Sequence, residues 1–167
     1  FGDLNDLRDA LGPHIAAIMI EPVQGEGGAR HMPEGYLEAV RAAADEFGAL
    51  LIADEVQAGI GRTGTLFSFE FYGIKPDIIA LAKGLGGGFP VGAVIASKKV
   101  SNAMEPGTHG STFGGNPLAM AAAEVILDTL STPGFLADIR RRADLLEVGL
   151  LALAKDHPDK IIEIRGR

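Results

Sequence analysis

Four short runs of apolar residues, each continuous rather than alternating with polar residues, constrain the fold of this chain most strongly. A strand that is apolar on both faces needs cover on both faces, which is typical of a parallel sheet lying between helices. We interpret as strands the runs at residues 15–20, 49–53, 77–82 and 91–96. The sequence therefore predicts an α/β fold with a mostly parallel sheet covered by helices.

Helical segments lie between and after these runs. Residues 34–47 carry an apolar stripe at helical spacing between a proline and a glycine, residues that are typical of a helix start and stop. This helix and its flanking strands predict a right-handed βαβ unit. Two more helices are predicted over residues 117–130, with Asn116 as N-cap, and over residues 134–155.

The two ends of the sequence indicate a segment of a longer protein. Residues 3–12 resemble the tail of an amphipathic helix, and the apolar run at 161–164 predicts a strand whose partners lie beyond Arg167. With roughly 100–200 residues in a typical domain, 167 residues suffice for one domain or a piece of a larger one. We therefore expect an architecture that is incomplete at both ends.

The composition favours small-molecule chemistry. Fifteen Lys and Arg against 22 Asp and Glu give a net charge of -7, which argues against binding to nucleic acid or an anionic membrane. No apolar run reaches the roughly 18 residues of a membrane span. The absence of cysteine excludes disulfides and thiolate chemistry and fits a cytoplasmic location. The four histidines show no metal-ligand spacing, so no metal site is predicted.

Polar side chains follow three of the predicted strands, at the sheet edge where open α/β sheets bind ligands. Glu21 follows the first strand, Asp54 and Glu55 follow the second, and Lys83 follows the third. Partial desolvation of Lys83 would favour a neutral amine that forms a Schiff base with an aldehyde. A lysine that extends from the strand end to solvent is the alternative.

Asp54 and Gln57 are candidates for binding a pyridine ring. A carboxylate at the rim of a buried strand can pair with a protonated ring nitrogen and keep the ring an electron sink. Gln57 could bond a ring oxygen if the chain turns after Asp54. The alternative is that Asp54 caps a loop and Gln57 lies on the surface.

Three glycine-containing segments are candidates for phosphate-binding loops. Ser111 and Thr112 precede a glycine pair and a predicted helix, which suits a phosphate, although such hydroxyls more often only cap the helix. The GxGxxG at 59–64 lacks a plain following helix and an acidic residue closing a second strand, so we reject a dinucleotide site. The GLGGG at 84–88 lacks the Lys-Ser/Thr ending of a P-loop.

Four segments in this order closely resemble the class III aminotransferases, a family of fold type I pyridoxal-phosphate enzymes, and most closely its acetylornithine-specific members. They are IEPVQGEGG (20–28), LIADEVQAGIGRTG (51–64), PDIIALAKGLGGGFPVGA (76–93) and HGSTFGGNPLA (109–119). The resemblance covers essentially the whole chain. It implies that residues 1–156 are part of the large cofactor-binding domain and that residues 157–167 begin the small C-terminal domain.

The resemblance also implies pyridoxal 5′-phosphate as cofactor and a role for each motif residue. Lys83 is expected to bind the cofactor covalently and to move the reaction's proton. Asp54 is expected to pair with the pyridine nitrogen, and Gln57 to lie near the phenolic oxygen. Glu55 and Val56 are expected to contribute to the same cofactor site.

A homodimer with active sites at the subunit interface is implied as well. Thr112 is expected to reach the partner subunit's cofactor phosphate, and Ser111 to lie near the substrate. Glu26 is expected to pair with a substrate-binding arginine that this chain does not contain.

The implied reaction moves an amino group from an ω-amino donor to 2-oxoglutarate, giving an aldehyde and glutamate. Ser111 and the GGGFP run at 86–90 favour N2-acetylornithine and hence arginine biosynthesis, with succinylornithine, ornithine and 4-aminobutyrate as alternative donors. A non-catalytic relative that keeps the fold, and a different pyridoxal-phosphate reaction such as a decarboxylation, are the alternatives of another class.

Overall fold

A four-stranded sheet lies at the centre of the computed structural model, which describes residues 1–166. The strands of this part of the chain are β1 (Ala17–Ile20), β2 (Val23–Gln24), β3 (Arg30–His31), β4 (Leu50–Asp54), β5 (Ile78–Leu81) and β6 (Ala93–Ala96). The central sheet has the order β1-β4-β5-β6, with the first three strands parallel and β6 antiparallel to β5, while β2 and β3 form a separate small hairpin. The predicted α/β fold with a mostly parallel sheet is confirmed.

The three predicted helices, over residues 34–47, 117–130 and 134–155, are confirmed, and the structure adds further short helices. The helices are α1 (Leu4–Ala10), α2 (Tyr36–Phe47), α3 (Lys98–Ser101), α4 (Pro117–Ser131) and α5 (Phe135–Asp156), together with 3₁₀ helices at Ser68–Tyr72 and Lys83–Gly86. Asn116 is the N-cap of α4, as predicted, because its side-chain oxygen accepts from the amide of Ala119 at 2.9 Å. No helix within residues 1–166 is both long enough and apolar enough to cross a membrane.

The start of the chain differs from the prediction, whereas the strand predicted near its end is not tested. The first helix begins at Leu4 and is capped by Asp3, whose Oδ1 accepts from the amide of Asn5 at 2.8 Å, so residues 3–12 are not the tail of a longer helix. Residues 161–164 pair with no strand of residues 1–166, and the strand predicted there, with partners beyond Arg167, stays a prediction. Arg167 lies outside the described residues.

The core lies where α2 and α4 pack near the two central strands. Leu37 and Val40 of α2 and Leu51 of β4 have no exposed surface, and burial of each such side chain is worth about 1.5–3 kcal/mol. Val94 and Ile95 of β6, the edge strand of the sheet, are exposed. The predicted cover on both faces therefore does not extend to β6.

Asp77 fixes the start of β5 against β4 and α2. Its Oδ2 accepts from the amide of Leu51 at 2.9 Å and from Nη1 of Arg41 at 2.8 Å. Burial alone would raise the pKa of Asp77, but the Leu51 amide and the Arg41 guanidinium outweigh burial and hold that pKa below its usual value. The ionised carboxylate thus stabilises the register of the two strands whose carboxyl ends carry the candidate residues.

Candidate active site

Lys83, Gln57 and Glu26 form one chain of hydrogen bonds beside the carboxyl end of β5. Nζ of Lys83 donates to Oε1 of Gln57 at 2.5 Å, and Nε2 of Gln57 donates to Oε1 of Glu26 at 3.4 Å. Lys83 and Gln57 also line a cavity of about 400 Å³. The structure therefore brings together three of the predicted site residues from three different sequence motifs.

A glycine in the loop between β2 and β3 leaves room for Gln57. A Cβ atom at Gly25 would lie 2.2 Å from Cγ of Gln57, so any larger residue would collide with that side chain. The amide of Gly25 donates to Oε2 of Glu21 at 3.1 Å, and this bond holds the loop in place. Glu21, a candidate at this sheet edge, thus binds the backbone of the loop that contacts Gln57.

Asp54 ends the neighbouring parallel strand. It is in register with Ala80, three residues before Lys83, so the carboxylate and the amine follow adjacent strands at one edge of the sheet. Its half-buried side chain accepts from the amide of Val56 at 3.0 Å. This bond begins the turn that brings Gln57 back towards the cavity.

Backbone strain is concentrated at the same cavity. Within residues 1–166, the non-glycine residues with φ in the left-handed region are Ala29 (φ 50), Ile60 (φ 54) and Lys83 (φ 42), and all three line it. The left-handed conformation costs an L-residue roughly 1–2 kcal/mol. Strain of this kind clusters at functional sites, where the surrounding structure holds it in place.

The side chain of Glu55 lies elsewhere, although the family resemblance implies that Glu55 contributes to the cofactor site. The side chain has no exposed surface, and its carboxylate accepts from the amide of Ser68 at 2.9 Å, from Oγ of Ser68 at 2.8 Å and from the amide of Phe69 at 2.9 Å. Burial raises the pKa of Glu55, and the three donors act in the opposite direction. Successive side chains of an extended segment point to opposite sides, so Glu55 turns away from the cavity.

Ser111 and Thr112 lie apart from this cluster. Both are exposed in the loop between α3 and α4, and neither lines the cavity. Oγ of Ser111 accepts from the amide of Gly114 at 3.0 Å, which closes a turn before α4. Within one chain, the structure does not bring either hydroxyl to Lys83, so their predicted roles stay predictions.

The rejected GxGxxG segment has a packing role. A Cβ atom at Gly59 would lie 2.7 Å from the carbonyl oxygen of Glu55, and one at Gly61 would lie 2.6 Å from a methyl group of Leu130 in α4. A 3₁₀ helix follows the segment in place of the α-helix that a dinucleotide site requires. The glycines therefore allow this loop to pack closely between β4 and α4.

A larger cavity, of about 630 Å³, runs along α5 and is lined by residues that include Arg62, Arg140, Asp144 and Glu147. None of the predicted site residues lines it. Within residues 1–166 no group of three or more histidine, aspartate or glutamate side chains is placed to hold a metal ion. The Lys83 amine and the strained residues lie at the smaller cavity, and Asp54 ends the neighbouring strand at the same sheet edge, so we take this cavity as the candidate active site.

The model of the family "Aminotransferase class-III" matches residues 2–167. The chain belongs to the class III aminotransferases. The acetylornithine aminotransferase of Mesorhizobium japonicum is 52% identical over 99% of this chain and 42% of its own length. The crystal structure of N-acetylornithine aminotransferase from Stenotrophomonas maltophilia is 41% identical with a TM-score of 0.88, covering 100% of this chain and 43% of that chain.

Class III aminotransferases are fold type I enzymes that depend on pyridoxal 5′-phosphate. The ornithine aminotransferase of Toxoplasma gondii, 39% identical with a TM-score of 0.86 over 100% of this chain and 40% of its own, holds this cofactor at partial occupancy at its active site. These matches confirm the predicted family, fold and cofactor class. The chain spans about 42% of the length of its M. japonicum relative.

Proposed function

We propose that this chain is the central part of an enzyme that moves an amino group from N2-acetylornithine to 2-oxoglutarate, giving an aldehyde and glutamate. The observation that carries the proposal is the amine of Lys83, which lines a cavity beside Gln57 at the same sheet edge as Asp54. The names of the similar enzymes support acetylornithine as the donor, and therefore a role in arginine biosynthesis. A cytoplasmic location and the division into a large domain (1–156) and the start of a small one (157–167) belong to the same proposal.

The residues at the cavity fit pyridoxal 5′-phosphate. A volume of about 400 Å³ lies in the range of roughly 300–1,000 Å³ that small-molecule sites occupy. The cavity offers the Lys83 amine for the cofactor's aldehyde, and Asp54, which ends the neighbouring strand, offers a carboxylate for the ring nitrogen. When bound, the cofactor supplies that aldehyde and a ring that withdraws electrons.

Each side chain then has a defined task. Nζ of Lys83 would hold the cofactor through its aldehyde and, as a free base, would accept and return the proton of the reaction. The Asp54 carboxylate holds the proton on the ring nitrogen. Gln57 orients the lysine by accepting from Nζ, while Val56 contributes its amide to Asp54. No cofactor contact is proposed for the side chain of Glu55.

Assays of the full-length protein with pyridoxal phosphate and 2-oxoglutarate test the function. N2-acetylornithine, N2-succinylornithine, ornithine and 4-aminobutyrate are compared as donors by glutamate formation, and we expect the highest kcat/KM for N2-acetylornithine. A higher value for another donor would replace the proposed substrate. Donor consumption without glutamate would indicate another pyridoxal-phosphate reaction, and inertness towards all four would indicate a non-catalytic relative. The 167-residue chain alone is expected to form no glutamate.

The proposal includes a homodimer in which Thr112 donates a hydrogen bond to the phosphate of the partner subunit's cofactor. Ser111 and Glu26 are proposed to contact the substrate. The exposure of Thr112, away from the cavity of its own chain, supports this arrangement. Thr112→Ala is expected to weaken cofactor binding by about ten- to a hundredfold, as loss of one hydrogen bond to a charged group costs about 1.5–3 kcal/mol.

Mixed dimers test the arrangement. A hybrid of Lys83→Ala with Thr112→Ala has one site with both lesions and one with neither, so purified hybrids are expected to regain half of the native activity. The assay runs at limiting pyridoxal phosphate, where Thr112→Ala alone is impaired. Hybrids that show no more than the mean of the two parents would place Thr112 at its own subunit's site or at none.

A further inference from the structure

We propose that Glu55 is a positioning residue that holds Gln57 against Lys83 by anchoring the turn at residues 55–59 to the 3₁₀ helix Ser68–Tyr72. The effect on rate rests on the proposed function, whereas the effect on the turn does not.

The side chain of Glu55 makes an unusually complete set of bonds. It is the one buried carboxylate of residues 1–166, and both of its oxygens accept hydrogen bonds from Ser68 and Phe69. Removal of a carboxylate oxygen would leave buried donors without an acceptor, which costs more than the bond itself contributes. The structure therefore fixes Glu55 more firmly than the half-buried residues on either side of it.

Backbone hydrogen bonds of Glu55 connect its fixed side chain to the turn at residues 55–59. Its amide donates to the carbonyl oxygen of Ala80 in β5 at 3.0 Å, and its own carbonyl accepts from the amide of Gly59 at 2.9 Å. Gln57 lies midway along the turn that the second bond closes. A displacement of Glu55 therefore moves the residue whose Oε1 contacts Lys83.

The 3₁₀ helix that receives the Glu55 side chain is itself held in place. Phe69 is buried in the core and stacks on Phe67 with 5.4 Å between ring centroids. The hydroxyl of Tyr72 donates to the carbonyl oxygen of Pro22 at 3.1 Å, which joins the helix to the loop after β1. Glu55 thus connects the turn to an anchor, and a misplacement of about 1 Å in a catalytic group can cost about a hundredfold in rate.

Hydrogen exchange in the cofactor-free, full-length protein tests the anchoring without any activity measurement. Glu55→Gln places an amide NH₂ against backbone donors, and we expect amides within residues 56–59 to exchange about tenfold faster, along with those of Ser68 and Phe69. The control Glu38→Gln removes an exposed carboxylate on α2 and is expected to leave both segments unchanged. Faster exchange confined to residues 67–70 would overturn the inference.

A milder variant covers the case in which Glu55→Gln fails to fold. Ser68→Ala removes only the hydroxyl donor at 2.8 Å and leaves both backbone bonds to the carboxylate. We expect a smaller acceleration, about threefold, again at residues 56–59 as well as at the 3₁₀ helix. An unchanged turn in a folded Ser68→Ala protein whose helix exchanges faster would overturn the inference.

A double-mutant cycle on kcat distinguishes positioning from general stabilisation. Glu55→Gln is expected to lower kcat about tenfold in the native background, but less than about twofold in a Gln57→Ala background, because its target is then absent. If the double mutant instead shows the product of the two single-mutant losses in kcat, the inference is overturned. If the native protein forms no glutamate, the proposed function fails, while hydrogen exchange still decides whether Glu55 holds the turn.

Discussion

Lys83→Ala is expected to abolish the visible absorption band of the full-length protein with pyridoxal phosphate, and to lower transamination by more than about a thousandfold. The band requires a double bond between Nζ and the cofactor that is conjugated with its ring, and the same amine is the proposed base, a role worth about 10²–10⁴ in rate. Absorption spectra and glutamate formation measure the two losses separately.

Two further variants make the Lys83 result specific. Lys75→Ala removes an exposed amine elsewhere and is expected to retain both the band and the rate. Lys83→Gly is expected to be as inactive as Lys83→Ala but no less stable, because Lys83 has φ 42 and glycine adopts that conformation without a Cβ penalty. An Ala variant that kept the band and the turnover would show that another amine binds the cofactor.

The strand ends of the candidate site could be predicted from the sequence, because a polar residue after a continuous apolar run marks the sheet edge. Asp54 and Lys83 follow adjacent parallel strands as predicted. The direction of β6 was not predictable, since an apolar run of four residues carries no information about whether its partner runs parallel or antiparallel. The strand predicted at 161–164 stays a prediction for a related reason: apolar residues favour a strand, but the partner decides whether one forms, and the predicted partners lie beyond Arg167.

Other features of the site depend on contacts that leave no local pattern in the sequence. The bonds from Ser68 to Glu55 span 13 residues and a loop of irregular structure, and nothing in either residue type indicates the pairing. The left-handed conformations of Ala29 and Ile60 likewise contradict local preference, since residues other than glycine disfavour positive φ and β-branched residues such as isoleucine do so most strongly. Such exceptions are expected where tertiary contacts impose a geometry for function.

Asp54→Asn is expected to preserve the fold and the cofactor content while lowering turnover by about a hundred- to a thousandfold. The asparagine oxygen can still accept from the amide of Val56, the bond that Oδ1 makes at 3.0 Å, so the turn that carries Gln57 keeps its geometry. A neutral amide cannot hold a proton on the ring nitrogen, and the negative charge that develops on the substrate then loses its electrostatic stabilisation. Cofactor content by absorption, thermal unfolding and kcat measure the three quantities.

The neighbouring carboxylate provides the matched comparison for Asp54. Glu55→Gln removes the same charge one residue further along the chain, but at a buried side chain whose carboxylate accepts hydrogen bonds from Ser68 and Phe69. The expected loss of about tenfold in kcat for Glu55→Gln arises from a displaced Gln57. The loss should therefore become smaller in any variant that lacks the Gln57 side chain. Asp54→Asn acts through charge, so its loss should persist in the Gln57→Ala background. A near-native rate in Asp54→Asn with full cofactor content would count against the ion pair, because the ring would then be activated without Asp54.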